Sequence, residues 1–234
     1  MDTLGIIGAM DIEVATLKNA MINREEIRQA SLCFTRGILN GCPVVVVRSG
    51  IGKVNAAICA QILVDVFHVT KIINTGIAGS LNADINIGDI VLSTDAIEHD
   101  MDAVAFGYPL GVIPQMSQSD FPADEALRKL ALEVCRDVNP DISVFEGRVV
   151  TGDQFIADKA KKEWLVSHFH PMCTEMEGAA IAHTAYQNGI PFLIIRAISD
   201  KADDSASEDY PTFETKAIKH SVNLVSEFCR RLAQ

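Results

Sequence analysis

The six cysteines of this chain, Cys33, Cys42, Cys59, Cys135, Cys173 and Cys229, include no C-x-x-C pair, the usual spacing of structural zinc and dithiol redox sites. Reduced, buried thiols are therefore expected, with neither a metal nor a cofactor. Basic residues are scarce: 20 Lys and Arg stand against 31 Asp and Glu, a formal charge of −11. A surface of that sign repels nucleic acid and anionic lipid, and no Lys/Arg cluster with interleaved aromatics offsets it. No nucleic-acid or membrane partner is expected. No apolar run approaches the ~20 residues needed to cross a bilayer, and the start, Met1 to Gly5, lacks the basic segment of a signal peptide. A cytoplasmic enzyme or small-molecule-binding protein remains.

What the chain does have is apolar content, 48% of 234 residues, enough for a sizeable core in one domain spanning 1–234. Short Val- and Ile-rich runs alternate with longer helical patterns, as in an α/β protein. Strands are expected at 4–9, 32–39, 44–49, 71–75, 89–97, 143–150 and 192–199. Helices are expected at 12–21, 54–67, 123–137, 157–168, 176–188 and 213–232. The unbroken runs Val44-Val45-Val46-Val47 and Phe192-Leu193-Ile194-Ile195 read as strands buried on both faces. A central mixed β-sheet flanked on both sides by helices follows. Two stretches, Asp100 to Pro122 and Asp200 to Pro211, read as long loops of the kind that carry function.

Four segments could carry chemistry, and each also has a plain structural explanation. Ser49-Gly50-Ile51-Gly52-Lys53-Val54-Asn55 joins a buried strand to a helix like a dinucleotide-binding turn, but Asn55 replaces the third glycine and no acid ends the next strand. It is not a P-loop, because Val54 follows Gly52-Lys53. A tight turn whose amides line a pocket for a small polar ligand is the better reading. In Gly8-Ala9-Met10-Asp11-Ile12-Glu13, Asp11 is expected to cap the helix, whereas Glu13 either complements the helix dipole or sits at the mouth of the sheet. Glu175-Met176-Glu177 opens a helix of small residues; two acids two apart cannot share a helical face, so at most one should point into a pocket. Arg196-Ala197-Ile198-Ser199-Asp200 ends a hydrophobic strand, where an Arg and an Asp are costly unless paired with each other or used.

Taken in order along the chain, these segments resemble the bacterial 5′-methylthioadenosine/S-adenosylhomocysteine nucleosidases of the purine nucleoside phosphorylase-like superfamily. The resemblance also rests on Asn74-Thr75-Gly76, on His99-Asp100 with Ala105-Phe106-Gly107-Tyr108, and on Gly152-Asp153-Gln154-Phe155-Ile156. It spans essentially the whole chain. It implies a nucleoside phosphorylase-like fold and a hydrolase that cuts the N-glycosidic bond of an adenine nucleoside with water. By similarity, Asp200 is the general acid at N7 of adenine, steadied by Ser199. Glu177 takes the ribose hydroxyls, and Glu13 activates water with Arg196 beside it. Phe155 is expected to stack on the purine and the backbone of Ile156 to read its edge. Met10, Ile51 and Met176 would surround the ribose and its 5′ group, with Tyr210 where the family has Phe. Phe106 corresponds to a residue that reaches the partner's site, so a homodimer is implied.

Two departures bear on this picture. Ile77 stands where the family form Asn-Thr-Gly-Ser-Ala-Gly has Ser, with Ser80 in place of the following glycine, so a side-chain hydrogen bond to the nucleophilic water is expected to be missing. Pro211 beside Tyr210 is expected to reshape the loop near the 5′ group. Three rivals stand against the reading. A phosphorylase needs cations for phosphate, and Glu13 argues against it. A futalosine-type nucleosidase would use the same acids with a different 5′ pocket. A non-catalytic nucleoside-binding protein has no need of all three.

Overall fold

The computed structural model describes residues 2–234. In chain order the elements are β1 (Leu4–Gly8), α1 (Asp11–Ala20), β2 (Ile22–Gln29), β3 (Leu32–Leu39), β4 (Cys42–Arg48), α2 (Lys53–Asp65), β5 (Lys71–Ser80) and β6 (Ile90–Glu98). A short 3₁₀ turn (Val104–Phe106) precedes β7 (Asp120–Pro122), α3 (Glu125–Val138), β8 (Val144–Thr151) and α4 (Lys159–Phe169). The chain ends with β9 (Cys173–Glu175), α5 (Gly178–Gln187), β10 (Phe192–Asp200) and α6 (Ala206–Leu232).

One mixed sheet runs β10-β6-β8-β9-β5-β1-β4-β3-β2, and β10 pairs with β5 as well. Strands β5, β10, β6, β8 and β9 thereby close on themselves, while β1, β4, β3 and β2 extend from the ring as an open wing. The run Val44–Val47 is buried on both faces, as its composition predicts. Val44 and Val46 belong to the core that α1, α3 and α6 cover, whereas Val45 and Val47 belong to the core that α2 and α5 cover. The helices therefore cover both sides of the sheet. Because β1, β4, β5 and β10 are mutually parallel, their C-terminal ends meet at one edge, the place where open α/β sheets bind ligands.

Four expectations are corrected. β2 (Ile22–Gln29) was not anticipated: as an edge strand with mostly exposed polar side chains, it lacks the hydrophobic alternation that marks a strand. β5 runs on to Ser80 rather than stopping at Thr75, because Gly76 and Gly79 serve close packing there, not a turn. α5 begins at Gly178, so Glu175 ends a strand and Glu177 is the N-cap. The stretch Asp200 to Pro211 is not all loop, since α6 starts at Ala206 and runs through Pro211. Pro lacks an N–H, which is what makes it read as a helix boundary.

Candidate active site

Glu13 sits at the third position of α1, and its carboxylate turns back on the chain that enters the helix. Oε2 accepts N–H bonds from Ala9 (2.7 Å) and Met10 (2.9 Å), and Oε1 accepts one from Ile77 at 3.2 Å. The carboxylate thus stitches the end of β1 to β5. The N-cap is Met10 rather than Asp11, which is exposed and pairs with Arg48 at 3.1 Å. Glu13 is 2% exposed, and burial pushes its carboxyl above the usual range against the pull of Arg196 and those three N–H groups.

Arg196, 1% exposed, projects from β10 among acids. It forms an ion pair with Glu175, lies 3.9 Å from Glu177 Oε2, and donates to Asn74 Oδ1. A Cβ on Gly76 would collide with both Arg196 Nη1 and Glu13 Oε1, so the glycine is what allows these two groups to converge. Of the two alternatives for this strand end, the Arg196–Asp200 pair does not form: the guanidinium serves Glu175, Glu177 and Glu13 instead. One cation among three buried carboxylates leaves this end of the site short of positive charge.

Glu177 Oε1 accepts the Gly52 N–H at 2.9 Å. The turn after β4 therefore spends that amide on a carboxylate. Gly50 N–H goes to Ala9 O and Lys53 N–H to Asp153, so these three amides of the turn serve the protein rather than a ligand. Only Ile51 of this turn lines the cavity described below. Burial first, then repulsion from Glu175, pushes the Glu177 carboxyl up to about 7, with Arg196 pulling the other way.

Asp200 has different company. Its Oδ2 accepts from the Ser199 hydroxyl and its Oδ1 from the Ala202 N–H, both at 2.8 Å. Burial raises its carboxyl above the usual range despite these bonds, and Asp209 and Asp203 add to the rise. A carboxyl that holds its proton more tightly than usual is better suited to act as an acid.

These groups surround a cavity of about 540 Å³. Glu13, Glu177, Ser199 and Asp200 line it, as do Met10, Ile51, Phe155, Ile156, Met176 and Tyr210. Arg196 lies behind the carboxylates. Phe106 is elsewhere, 84% exposed on the 3₁₀ turn. Phe155 and Tyr210 meet edge to face with centroids 5.8 Å apart, and the Tyr210 hydroxyl reaches Met10 Sδ (3.4 Å) and Glu214 (3.0 Å). Ile77 also lines the cavity and offers Glu13 its backbone N–H, so the main chain at that position still serves the site.

Sequence reasoning missed Glu175. It lines the cavity together with Glu177, contrary to the expectation that at most one of the pair would, because neither residue is inside the helix. Glu175 Oε2 accepts N–H bonds from Glu177 (3.0 Å) and Gly178 (2.7 Å) as well as pairing with Arg196. Charge balance was the available signal: a buried Arg needs its own carboxylate if two others are to stay free for substrate.

Residues 3–230 match the Phosphorylase superfamily. The 5′-methylthioadenosine/S-adenosylhomocysteine nucleosidase of an Exiguobacterium species is 43% identical over 99% of both chains. The crystal structure of the Neisseria meningitidis enzyme of that name, in complex with methylthio-immucillin-A, superposes with a TM-score of 0.94 at 35% identity, covering 99% of this chain and all of the other. The native futalosine hydrolase of Helicobacter pylori superposes with a TM-score of 0.91 at 34% identity, covering 97% of each chain. With its site built on the ends of β1, β5 and β10, this chain belongs to the phosphorylase superfamily and, within it, to the 5′-methylthioadenosine/S-adenosylhomocysteine nucleosidases.

Proposed function

We propose that Asp200, Glu177 and Glu13 divide between them the hydrolysis of the N-glycosidic bond of 5′-methylthioadenosine and S-adenosylhomocysteine. The chain is an N-glycosyl hydrolase that releases adenine and the 5′-substituted ribose. As that bond breaks, the base gains negative charge and the sugar positive charge, so the reaction needs an acid at one end and anions at the other. What supports the division of labour is the unequal company of the carboxylates: Glu13 and Glu177 face Arg196, whereas Asp200 is buried beside Ser199 and other acids.

In this reading Asp200 protonates N7 of the departing adenine. Glu177 holds the ribose hydroxyls, and its attraction strengthens as the sugar becomes cationic. At about 4 Å and an effective dielectric of about 20, that attraction is on the order of 4 kcal/mol. Glu13, fixed by three N–H groups, orients and deprotonates the attacking water. Arg196 offsets part of the repulsion among the carboxylates gathered around it. Phe155 stacks on the purine, the Ile156 backbone reads its edge, and Met10, Ile51, Met176 and Tyr210 enclose the thioether end.

The same resemblance makes the working form a homodimer in which Phe106 of one subunit closes the other's site. The exposed apolar side chains of Phe106, Val104, Val54 and Ile58 suit such a contact. A monomer of full activity in sedimentation would remove it. The decisive assay for the reaction is incubation with each nucleoside and measurement of free adenine. Adenine should appear without added phosphate, and phosphate should neither speed its release nor yield ribose 1-phosphate. Futalosine is the second substrate to assay, given the Helicobacter pylori futalosine hydrolase fold; its cleavage in preference to methylthioadenosine would reassign the 5′ pocket.

A further inference from the structure

Two segments that carry the site are tied to each other and to the end of β6, outside the cavity, by residues the chemistry does not use. The loop after β8, which presents Phe155 and Ile156, begins with Gly152 and Asp153. Asp153 Oδ1 accepts the Lys53 N–H at 2.9 Å, and the Asp153 N–H donates to Asp100 Oδ2 at 3.0 Å. The triangle closes through the Lys53 ammonium, 2.6 Å from Asp100 Oδ1 and 2.9 Å from Glu98. Lys53 directly follows Gly52, whose N–H holds Glu177, and Gly52 has a φ of +96° with Asp153 Oδ1 3.1 Å from where its Cβ would be. The other side of the loop is fixed too: the Gly152 N–H donates to the Glu175 carbonyl at 3.2 Å, and Gly152 lies flat against the His99 ring where a Cβ would collide.

We infer that Asp153, clasped between the Lys53 amide and Asp100, is a positioning residue that sets the purine-stacking loop at a fixed distance from the ribose anchor Glu177. One carboxylate joins the loop bearing Phe155 to the turn bearing Gly52, so the base end and the sugar end of the cavity share a strut. Its work is acceptor chemistry at Oδ1, which asparagine can also supply. Asp100 holds the third corner, receiving the Asp153 amide on one oxygen and the Lys53 ammonium on the other. Because the strut acts on where the base rests rather than on the bond being broken, its loss is felt in binding before turnover.

The inference rests on the nucleosidase reading for its kinetic arm, and the test separates the two. Asp153→Ala, Asp153→Asn and Asp100→Ala in the full chain are compared with the parent for KM, kcat, the Kd of free adenine and amide exchange of residues 152–156 without ligand. Asp153→Ala should raise KM and weaken adenine about tenfold while kcat falls less than about threefold, a size in keeping with a small displacement of a binding group. Asp153→Asn should stay within about twofold of the parent, since it keeps the acceptor. Amides 152–156 should exchange faster in Asp153→Ala and in Asp100→Ala. If Asp153→Ala fails to fold, Asp100→Ala carries the test with the same expected direction. Unchanged adenine affinity and unchanged exchange in a folded variant overturn the strut, as does an Asp153→Asn variant as impaired as Asp153→Ala. Failure of the parent to release adenine overturns the nucleosidase reading instead, and the exchange arm still reads the strut.

Discussion

The floor and the rim of the cavity are made of different material. On the floor, Glu13, Glu175, Glu177 and Asp200 are buried, and each carboxylate accepts at least one backbone N–H. On the rim, Ile51 and Phe155 are about half exposed, 51% and 52%, and Tyr210 is partly so. The floor stands at strand ends or helix starts next to them, the rim on a turn, a loop and the first turns of α6. Preorganised charge that cannot relax is what lowers a barrier, whereas apolar walls that can adjust set affinity and choice of ligand. Floor substitutions should therefore act on turnover, and rim substitutions on binding.

The hardest blow to that division would come from the two acids proposed to handle protons. Glu13→Gln and Asp200→Asn each keep size and most hydrogen bonds but cannot exchange a proton, and each should lower kcat by about 10²–10⁴-fold. KM should change far less. Steady-state kinetics on folded protein checks this, and a variant with parental kcat removes its residue from the mechanism.

A somewhat smaller effect tests whether the floor is one electrostatic unit. The Glu177 carboxyl titrates at about 7 in the folded chain against an ordinary 4.5, raised by burial and by Glu175. Between those values the folded chain holds a proton that the unfolded chain has lost, so this group's contribution to stability is fully present below about 4.5 and is lost as pH rises to about 7. Over the same interval kcat/KM should climb, because the anion is the form that meets the sugar cation. Urea unfolding across this range should show the slope in the parent and a shallower one in Glu177→Gln, the remainder coming from the raised carboxyls of Glu13 and Asp200; equal slopes would mean that Glu177 does not titrate there.

The sequence announces the floor better than it announces how the floor is held. Val44–Val47 and Phe192–Ile195 are legible because strands buried on both faces must be apolar throughout, and the acids at strand ends stand out against them. β2 is illegible because an edge strand facing water needs no alternation. Glu175 escaped because local reasoning read it as an acid at the opening of a helix, and its partner Arg196 lies 21 residues away in sequence. Gly76 reads as a turn and serves as the space in which Glu13 and Arg196 meet. Hydrophobic pattern reports which residues are buried together; which polar groups face one another across strands depends on register, which composition does not carry.

On the rim, Phe155→Ala tests the other half of the comparison. Stacking of a base on an aromatic ring contributes about 1–3 kcal/mol, so KM and the Kd of adenine should rise by roughly 5- to 150-fold. The kcat should stay within a few-fold. A collapse of kcat at unchanged KM would move Phe155 into the catalytic machinery and dissolve the distinction between rim and floor.

Tyr210→Phe is the finest probe, because it removes one oxygen from the rim and leaves its area in place. That hydroxyl contacts Met10 Sδ at 3.4 Å and Glu214 at 3.0 Å, both on the protein side. The sulfur contact is weak, and the Glu214 bond joins residues four apart on the same helix, so the loss should be about 1 kcal/mol or less in stability. Turnover of methylthioadenosine should be unaffected, since no floor carboxylate bonds to this oxygen among the described residues. Freed of Tyr210, Met10 can shift toward the space the hydroxyl held, and the 5′ pocket widens on its apolar side. Comparing kcat/KM for methylthioadenosine with that for S-adenosylhomocysteine reads this directly: the ratio should move toward the bulkier substrate by about threefold, the scale of a small apolar change in a pocket. A ratio unchanged while both values fall together would place Tyr210 with the floor, acting on the reaction rather than on the choice of substrate.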